Sequence, residues 1–589
     1  MKKRLLSLIL ALCIIISFSP STLAANLPEV DVRTEGLTPA QPQEAPAEKP
    51  RDAGAERRTI YVSNEGTEED DGATAETPTT LARATELANE GKKPVEIVVL
   101  GQVSVDTWTS PTVETTLRGG DENAELLFEY CSASDGAYNI SLADALTIDD
   151  IKFNCNYTDY FFSRYYGTYT IVANGYPLVI ASGVQYSYYT ADTIVDGKTC
   201  STSSCYVIGG GLDEDITGGT HVEIYTSLPL TYVYGGGVNG SVEGNIFLHI
   251  ENCGKIQHVR AGGYANKKDA KVNGNITLDF INSVTDNPIY GGGYARSSYS
   301  AEVTGSICIN LSGLNNGFGR PIYGGGYEKN APVVGNITFN ISNTKMNNNA
   351  AAIYGGGYDS DVTGDIFIHI KENSLISEET VWGGGTGDST ITGGVTITVD
   401  DSSEVIGEIR AGGNEGADVI GDVVITVSGG PQSACPTIFA TGKGEDEDNP
   451  AQVDGNVSIT LHGSRANVYT LDKFGEVTSD HTVTIILDDT DELSGAVRGD
   501  SKLDQHLYNH EKNTPTRTGN GASVIVKGDY TSTGIHGFPE VVIEDGGILR
   551  EHLASGETLF DGVETVTIQE GGALDLLQSN EISGNFTCA

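Results

Sequence analysis

The sequence predicts an all-β chain wound as a parallel β-solenoid, and three observations carry that prediction. Glycine triplets recur through the middle of the chain, an aliphatic run of period two follows each triplet, and the units repeat at close to thirty residues.

The triplets begin at Gly209, Gly235, Gly291, Gly324, Gly355 and Gly383, and Ala261-Gly262-Gly263 and Ala411-Gly412-Gly413 fill the two gaps. Successive starts are 26, 26, 30, 33, 31, 28 and 28 residues apart. The alternating runs include Ile246, Leu248 and Ile250; Ile276, Leu278 and Phe280; Ile307, Ile309 and Leu311; and Ile337, Phe339 and Ile341. They continue through Ile366, Val395 and Val423 to Val457, Ile459 and Leu461. Between the aliphatics stand Thr277, Asp279, Asn310, Thr338, Asn340, Thr396 and Thr398. Such alternation buries one face of a strand and wets the other. One unit cannot bury its apolar face alone, so neighbours stacked about 4.8 Å apart must extend it into a column. Propeller blades need about forty residues and four strands, more than these units contain.

At the N-terminus Lys2, Lys3 and Arg4 precede an apolar run over 5–18, and the small residues of 22–25 close it. That order predicts a signal peptide over 1–25, cleaved near Ala24 or Ala25. The run is too short to cross about 30 Å of hydrocarbon, and no later stretch reads as a transmembrane segment. The expected location is extracellular, either secreted or associated with the cell wall. Residues 26–58 read as an extended linker, with Pro28, Pro39, Pro42, Pro46 and Pro50 among Ala, Gln and Glu.

Residues 59–130 read as an N-terminal cap with the first coils. A strand over 59–63 leads into a polar loop over 64–77 and a helix over 81–90, with Thr79 or Thr80 as its cap and Gly91 as its end. A buried strand over 95–100 follows. The repetitive solenoid occupies 131–470, and less regular β coils occupy 471–589.

The Tyr-Val-Ser strand, acidic Gly-containing loop, short Leu/Ala helix and buried strand, over residues 60–101, resemble the N-terminal cap of the pectate-lyase-like family. The resemblance implies a right-handed parallel β-helix with a short N-terminal capping helix. The Tyr-Gly-Gly-Gly-Tyr repeats at Tyr290, Tyr323 and Tyr354 and the Gly-Asn-Ile-Thr repeats at Gly274 and Gly335 resemble adhesin-like surface proteins of Gram-positive bacteria. They imply a rigid binding or structural element outside the cell.

Acidic side chains number 80 against 35 basic ones, a net charge of -45. Such a field repels nucleic acid and anionic lipid, which argues against both as partners. Of nine cysteines, Cys13 lies in the signal peptide, and only Cys200 and Cys205 are close enough in sequence to suggest a local disulfide. Isolated cysteines such as Cys308 read as small packing residues.

No residue is assigned a catalytic role. The pairs Asp149-Asp150, Asp400-Asp401 and Asp488-Asp489 read as turns, because Asp side chains bond their own backbone. The Gly-His-Gly and Arg-Ile-Lys motifs of the polygalacturonase branch are missing from the sequence, and Ile535-His536-Gly537 is the nearest fragment. A carbohydrate-active enzyme, polysaccharide lyase or glycoside hydrolase, is the alternative reading of the same scaffold. No cofactor and no metal site is expected. His249 and His369 occupy one strand position several rungs apart, as solvated surface residues. The acidic turns over 356–362 and 412–419 depart from the Gly-Gly-x-Gly-x-Asp pattern of calcium-binding β-rolls.

The residues just before the triplets are the candidate site: Tyr234, Arg260, Tyr290, Tyr323, Tyr354, Trp382 and Arg410. Each follows an aliphatic residue, Val233, Val259, Ile289, Ile322, Ile353, Val381 or Ile409, so alternation points the ring or guanidinium outward. Tyr264, Tyr294, Tyr327 and Tyr358 form a second column after the triplets. Such a stripe serves either as a structural ladder covering glycine backbone, the favoured reading, or as an aromatic track for a polysaccharide or host surface glycan. The arginines would then meet acidic groups.

Overall fold

The computed structural model describes residues 57–588 except 129–137, 156–157, 161–163, 167, 187–193, 196–197, 201–203, 255, 297, 315–317, 347–350, 378–379, 430–435, 465, 479, 489–503, 512–513, 519–520, 552–557 and 577–584. The expected signal peptide and nearly all of the expected linker lie outside the described residues. Among the described residues no helix is long and apolar enough to cross a membrane.

The first described strand, Arg58–Thr67, runs four residues beyond the stretch expected from its alternation and pairs in parallel with Val95–Val99. Between them lies the helix Leu81–Gly91. Thr80, rather than Thr79, caps it by accepting from the Arg83 amide, and Lys92 closes it in the left-handed region at φ 51°. Ala84, Leu87 and Ala88 are its buried face, so it packs one stripe against the first strands.

From there the chain is nearly all β, arranged in long parallel sheets compatible with a β-helix solenoid. One sheet has nineteen strands and takes one from each coil. Its middle rungs are Ile246–Glu251, Ile276–Ile281, Ile307–Ser312, Ile337–Ser342 and Ile366–Lys371. The register is strict: Ile276 pairs with Ile307 and Ile307 with Ile337, while Leu278, Ile309 and Phe339 form the next column, and Phe280, Leu311 and Ile341 the third. All nine side chains are buried. A second stack holds the strands that end just before the glycines, such as Leu230–Tyr234, Ile256–Arg260, Ile289–Tyr290 and Ile322–Tyr323. A third side is made of shorter contacts, in which Val242, Val272, Val303, Val333, Val362 and Ile391 bridge in succession.

The Gly-Asn-Ile-Thr repeat acquires a physical reason here. Asn275 Oδ1 accepts the amide of Ser306, Ser306 Oγ accepts that of Asn336, and Asn336 Oδ1 accepts that of Asp365. Each turn therefore satisfies a backbone donor of the next coil through a side chain, where strand pairing cannot.

One expectation is corrected. Cys205 is a free, buried thiol and so is not bridged to Cys200; burial pushes its pKa up to about 12. The late coils are less purely parallel than the middle ones, because Asp504–Glu511 and Thr514–Thr518 pair antiparallel as a hairpin. Cys308 behaves as a packing residue, buried with its thiol pushed up to about 11.

Because Phe339 is fully buried within a continuous column, its replacement by Ala should lower unfolding stability by about 3–5 kcal/mol. Denaturant unfolding followed by circular dichroism reads this directly. A loss near zero would place Phe339 outside the stacked core and break the register.

Candidate functional site

All seven stripe residues lie in one unbroken register. Tyr234 pairs with Arg260, Arg260 with Tyr290, and the line continues through Tyr323, Tyr354 and Trp382 to Arg410. It then runs on to Phe439 and Tyr469, which the triplet pattern did not reveal because Ala440-Thr441-Gly442 follows Phe439. The strand alternation around Ile438 and Val468 was the available signal.

The structure corrects the expected exposure of this stripe. The rings do stand away from the aliphatic core, in a cluster of their own, but Tyr290, Tyr323, Tyr354 and Trp382 are 5–9% exposed. Two packing relations cover them. Along the stack, Tyr290 and Tyr323 lie 5.2 Å apart at 7°, Tyr323 and Tyr354 4.8 Å apart at 11°, and Tyr354 and Trp382 5.8 Å apart at 6°. Across it, the second column meets the first edge to face, with Tyr327 against Tyr290 at 75° and Tyr358 against Tyr323 at 83°. A sugar ring needs a free aromatic face. Here the stacking distances lie close to the rung spacing of about 4.8 Å, so each inner face is already filled by the next ring. The arrangement is a structural ladder.

The two arginines are buried within it. Arg410 lies over Phe439 at 3.9 Å and Trp382 at 5.1 Å, with Glu408 and Asp472 as ion-pair partners. Arg260 lies over Tyr294 at 3.6 Å and within 5.6 Å of Tyr232, Tyr234 and Tyr264. Tyr206, Tyr232 and His258 form a further stack beside it, with centroids 4.8 and 4.5 Å apart.

A polar cluster on the outer face of the long sheet was not anticipated. His221 and Tyr225 hydrogen-bond Glu223, and His249 bridges Glu251 and Asp279 at 3.2 Å each. The hydrogen bond from His221 holds Glu223 below the usual carboxylate range. Burial lowers the His249 imidazole, but its two carboxylate partners outweigh that and raise it. The signal was the i, i+2 spacing of His221-x-Glu223-x-Tyr225 and His249-x-Glu251. His249 and His369 are four rungs apart, as expected, yet both are half-buried and hydrogen-bonded rather than solvated. From His249 the line Asp279, Asn310, Asn340 continues as a side-chain ladder, with Asn310 donating to Asp279 and Asn340 to Asn310.

The acidic residues of the turns are engaged too. Asp149 Oδ1 accepts its neighbour's amide, and Asp400 Oδ1 accepts from Ser402. Asp359 and Asp361 accept the amides of Asp388 and Thr390 on the next coil. Asp489 lies outside the described residues. Asp454, Asp480 and His481 converge closely enough to share an ion, but the two carboxylates are exposed and His481 hydrogen-bonds Thr478 at 2.8 Å.

No protein-family model, curated protein or solved structure matches the chain.

The ladder has a signature in alkali. Burial, above all, pushes the phenols of Tyr327 and Tyr354 up to about 12, and Tyr290 and Tyr323 upward as well. The unfolded chain releases these protons near pH 10, before the fold does. Their stabilisation is therefore full below about pH 10 and is lost as pH climbs through about 12. Thermal melts across that window should show a steep fall, flattened when Tyr323 and Tyr354 are both replaced by Phe. Equal pH profiles for the two proteins would remove the phenols from the account.

Proposed function

We propose that this chain is an exported, right-handed parallel β-helix that acts as a rigid, adhesin-like element at a bacterial surface, in the manner of the Gram-positive surface proteins its repeats resemble. The supporting observation is the unbroken register of aliphatic, amide and aromatic ladders. Each rung is locked to the next by side chains as well as backbone, which makes bending costly over the whole stack. At about 4.8 Å per rung, nineteen strands span roughly 90 Å.

The enzymatic alternative draws less support. Of its aspartate pairs, Asp149 and Asp400 accept turn amides, and the outer-face carboxylates Glu223, Glu251 and Asp279 are paired with imidazoles. Polysaccharide or host surface glycan is the proposed partner class, engaged at individual positions rather than along an aromatic track.

Expressed whole in a bacterium, the chain should appear in the extracellular fraction without its first 24 or 25 residues, read by intact-mass spectrometry. Small-angle scattering of that species should give an elongated particle of constant cross-section. Incubation with polygalacturonate should release no reducing or unsaturated ends. Cytosolic retention with an intact N-terminus would overturn export, and product release abolished by a Glu223→Gln substitution would favour the enzyme.

A further inference from the structure

The two ladder arginines occupy equivalent positions but are satisfied differently. In Arg410, Nε and Nη2 both meet Glu408 Oε2, at 2.9 and 2.8 Å, and Nη1 meets Asp472 Oδ2 at 2.5 Å. Glu408 is supplied from two residues before Arg410 on the same strand. Two residues before Arg260 the residue is His258.

Arg260 is 93% buried, since only 7% of it is exposed. Its Nη1 donates to Tyr234 Oη at 3.3 Å, while its buried Nε has no acceptor. Among the described residues no carboxylate lies within ion-pair range of it. The four tyrosines stabilise the cation through their ring faces, but a ring face acts on the flat side of a guanidinium and leaves its N–H edge unsatisfied. His258 cannot replace Glu408. Burial first, and the Arg260 charge second, push its pKa down to about 4, so near neutral pH it brings no charge.

We infer that the Nε edge of Arg260 is a binding site for one carboxylate of an acidic sugar, which takes the place that Glu408 takes at Arg410. A carboxylate matches the guanidinium fork in two-point geometry and in charge. Tyr232, His258, Tyr264 and Tyr294 around it are all half-buried, and ligand entry requires one or more of them to turn aside while the strand register holds. Such an opening admits a single anionic substituent rather than a chain laid along the ladder. In a chain of net charge -45, a buried cation with no carboxylate partner among the described residues is what a uronic acid would seek. The inference rests on the reading of a glycan-engaging surface element and names its ligand class.

The test is calorimetric titration of the mature protein with tetragalacturonate, its methyl ester and inorganic phosphate. Tetragalacturonate should bind, and the uncharged ester at least tenfold more weakly. Arg260→Gln should weaken binding at least tenfold. His258→Glu should do the same with an unchanged or raised melting temperature, because it supplies the missing carboxylate from within and separates loss of the site from loss of the fold. Absence of binding by the parent protein, equal binding of the ester, or unimpaired binding by His258→Glu overturns the site. Binding of phosphate alone overturns the acidic sugar as its ligand. None of these failures touches export or elongation, which the mass and scattering measurements decide separately.

Discussion

The constraint on which the rest of the structure depends is the close approach of successive backbones at the glycine triplets. The middle amides run in a column, Gly236 donating to Gly262, Gly262 to Gly292, Gly292 to Gly325 and Gly325 to Gly356, at 3.0–3.1 Å. At these contacts there is no room for a side chain. A Cβ on Gly292 would sit 2.7 Å from Gly326 N, one on Gly325 would sit 2.8 Å from Gly357 N, and one on Gly324 would overlap Gly355 O. These glycines are required by proximity rather than by backbone angle. Where the first glycine becomes Ala261 or Ala411, the side chain is buried without disturbing the column.

Once the backbones are locked at that spacing, like side chains must stack on like. The aliphatics make continuous inner columns, and the Asn, Ser and Asp residues at the turns cap amides one coil onward. The outer-face residues form the His249–Asp279–Asn310–Asn340 line. The tyrosines obey the same rule. A stacking distance close to the rung spacing makes them excellent mutual partners and poor platforms for anything else. One geometric quantity thus explains the order of the core and the closure of the aromatic stripe.

Charge is distributed with the same economy. The chain is strongly acidic, yet the carboxylates near its ladders are tied to amides, imidazoles or Arg410. Burying a guanidinium is tolerable when carboxylates meet its edge, as at Arg410. At Arg260 aromatic faces and the Tyr234 hydroxyl carry that burden without a carboxylate among the described residues, and the residue in the place of Glu408 is a neutral imidazole. The distinction between a closed structural cation and one open to a ligand lies in Glu408 and Asp472 at Arg410 against His258 at Arg260.

The parallel coils, their approximate period, the inward aliphatics and the outward side of the stripe were legible in the residues themselves. All four follow from local rules: alternation fixes which way a side chain points, and repetition fixes what lies above it. Even the helix could be located to within a residue of each end from its cap and its apolar stripe. Exposure was not legible in this way. Tyr323 reads as outward, and it is outward, but whether its faces are free depends on Tyr290 and Tyr354, about thirty residues away on either side, and on Tyr358 across the stripe. The different fates of Arg260 and Arg410 were equally hidden, since Asp472 reaches Arg410 from 62 residues along the chain. Direction is a property of one strand, which a sequence determines. Burial and pairing belong to neighbours several coils apart, and only the stacked tertiary structure brings those neighbours together.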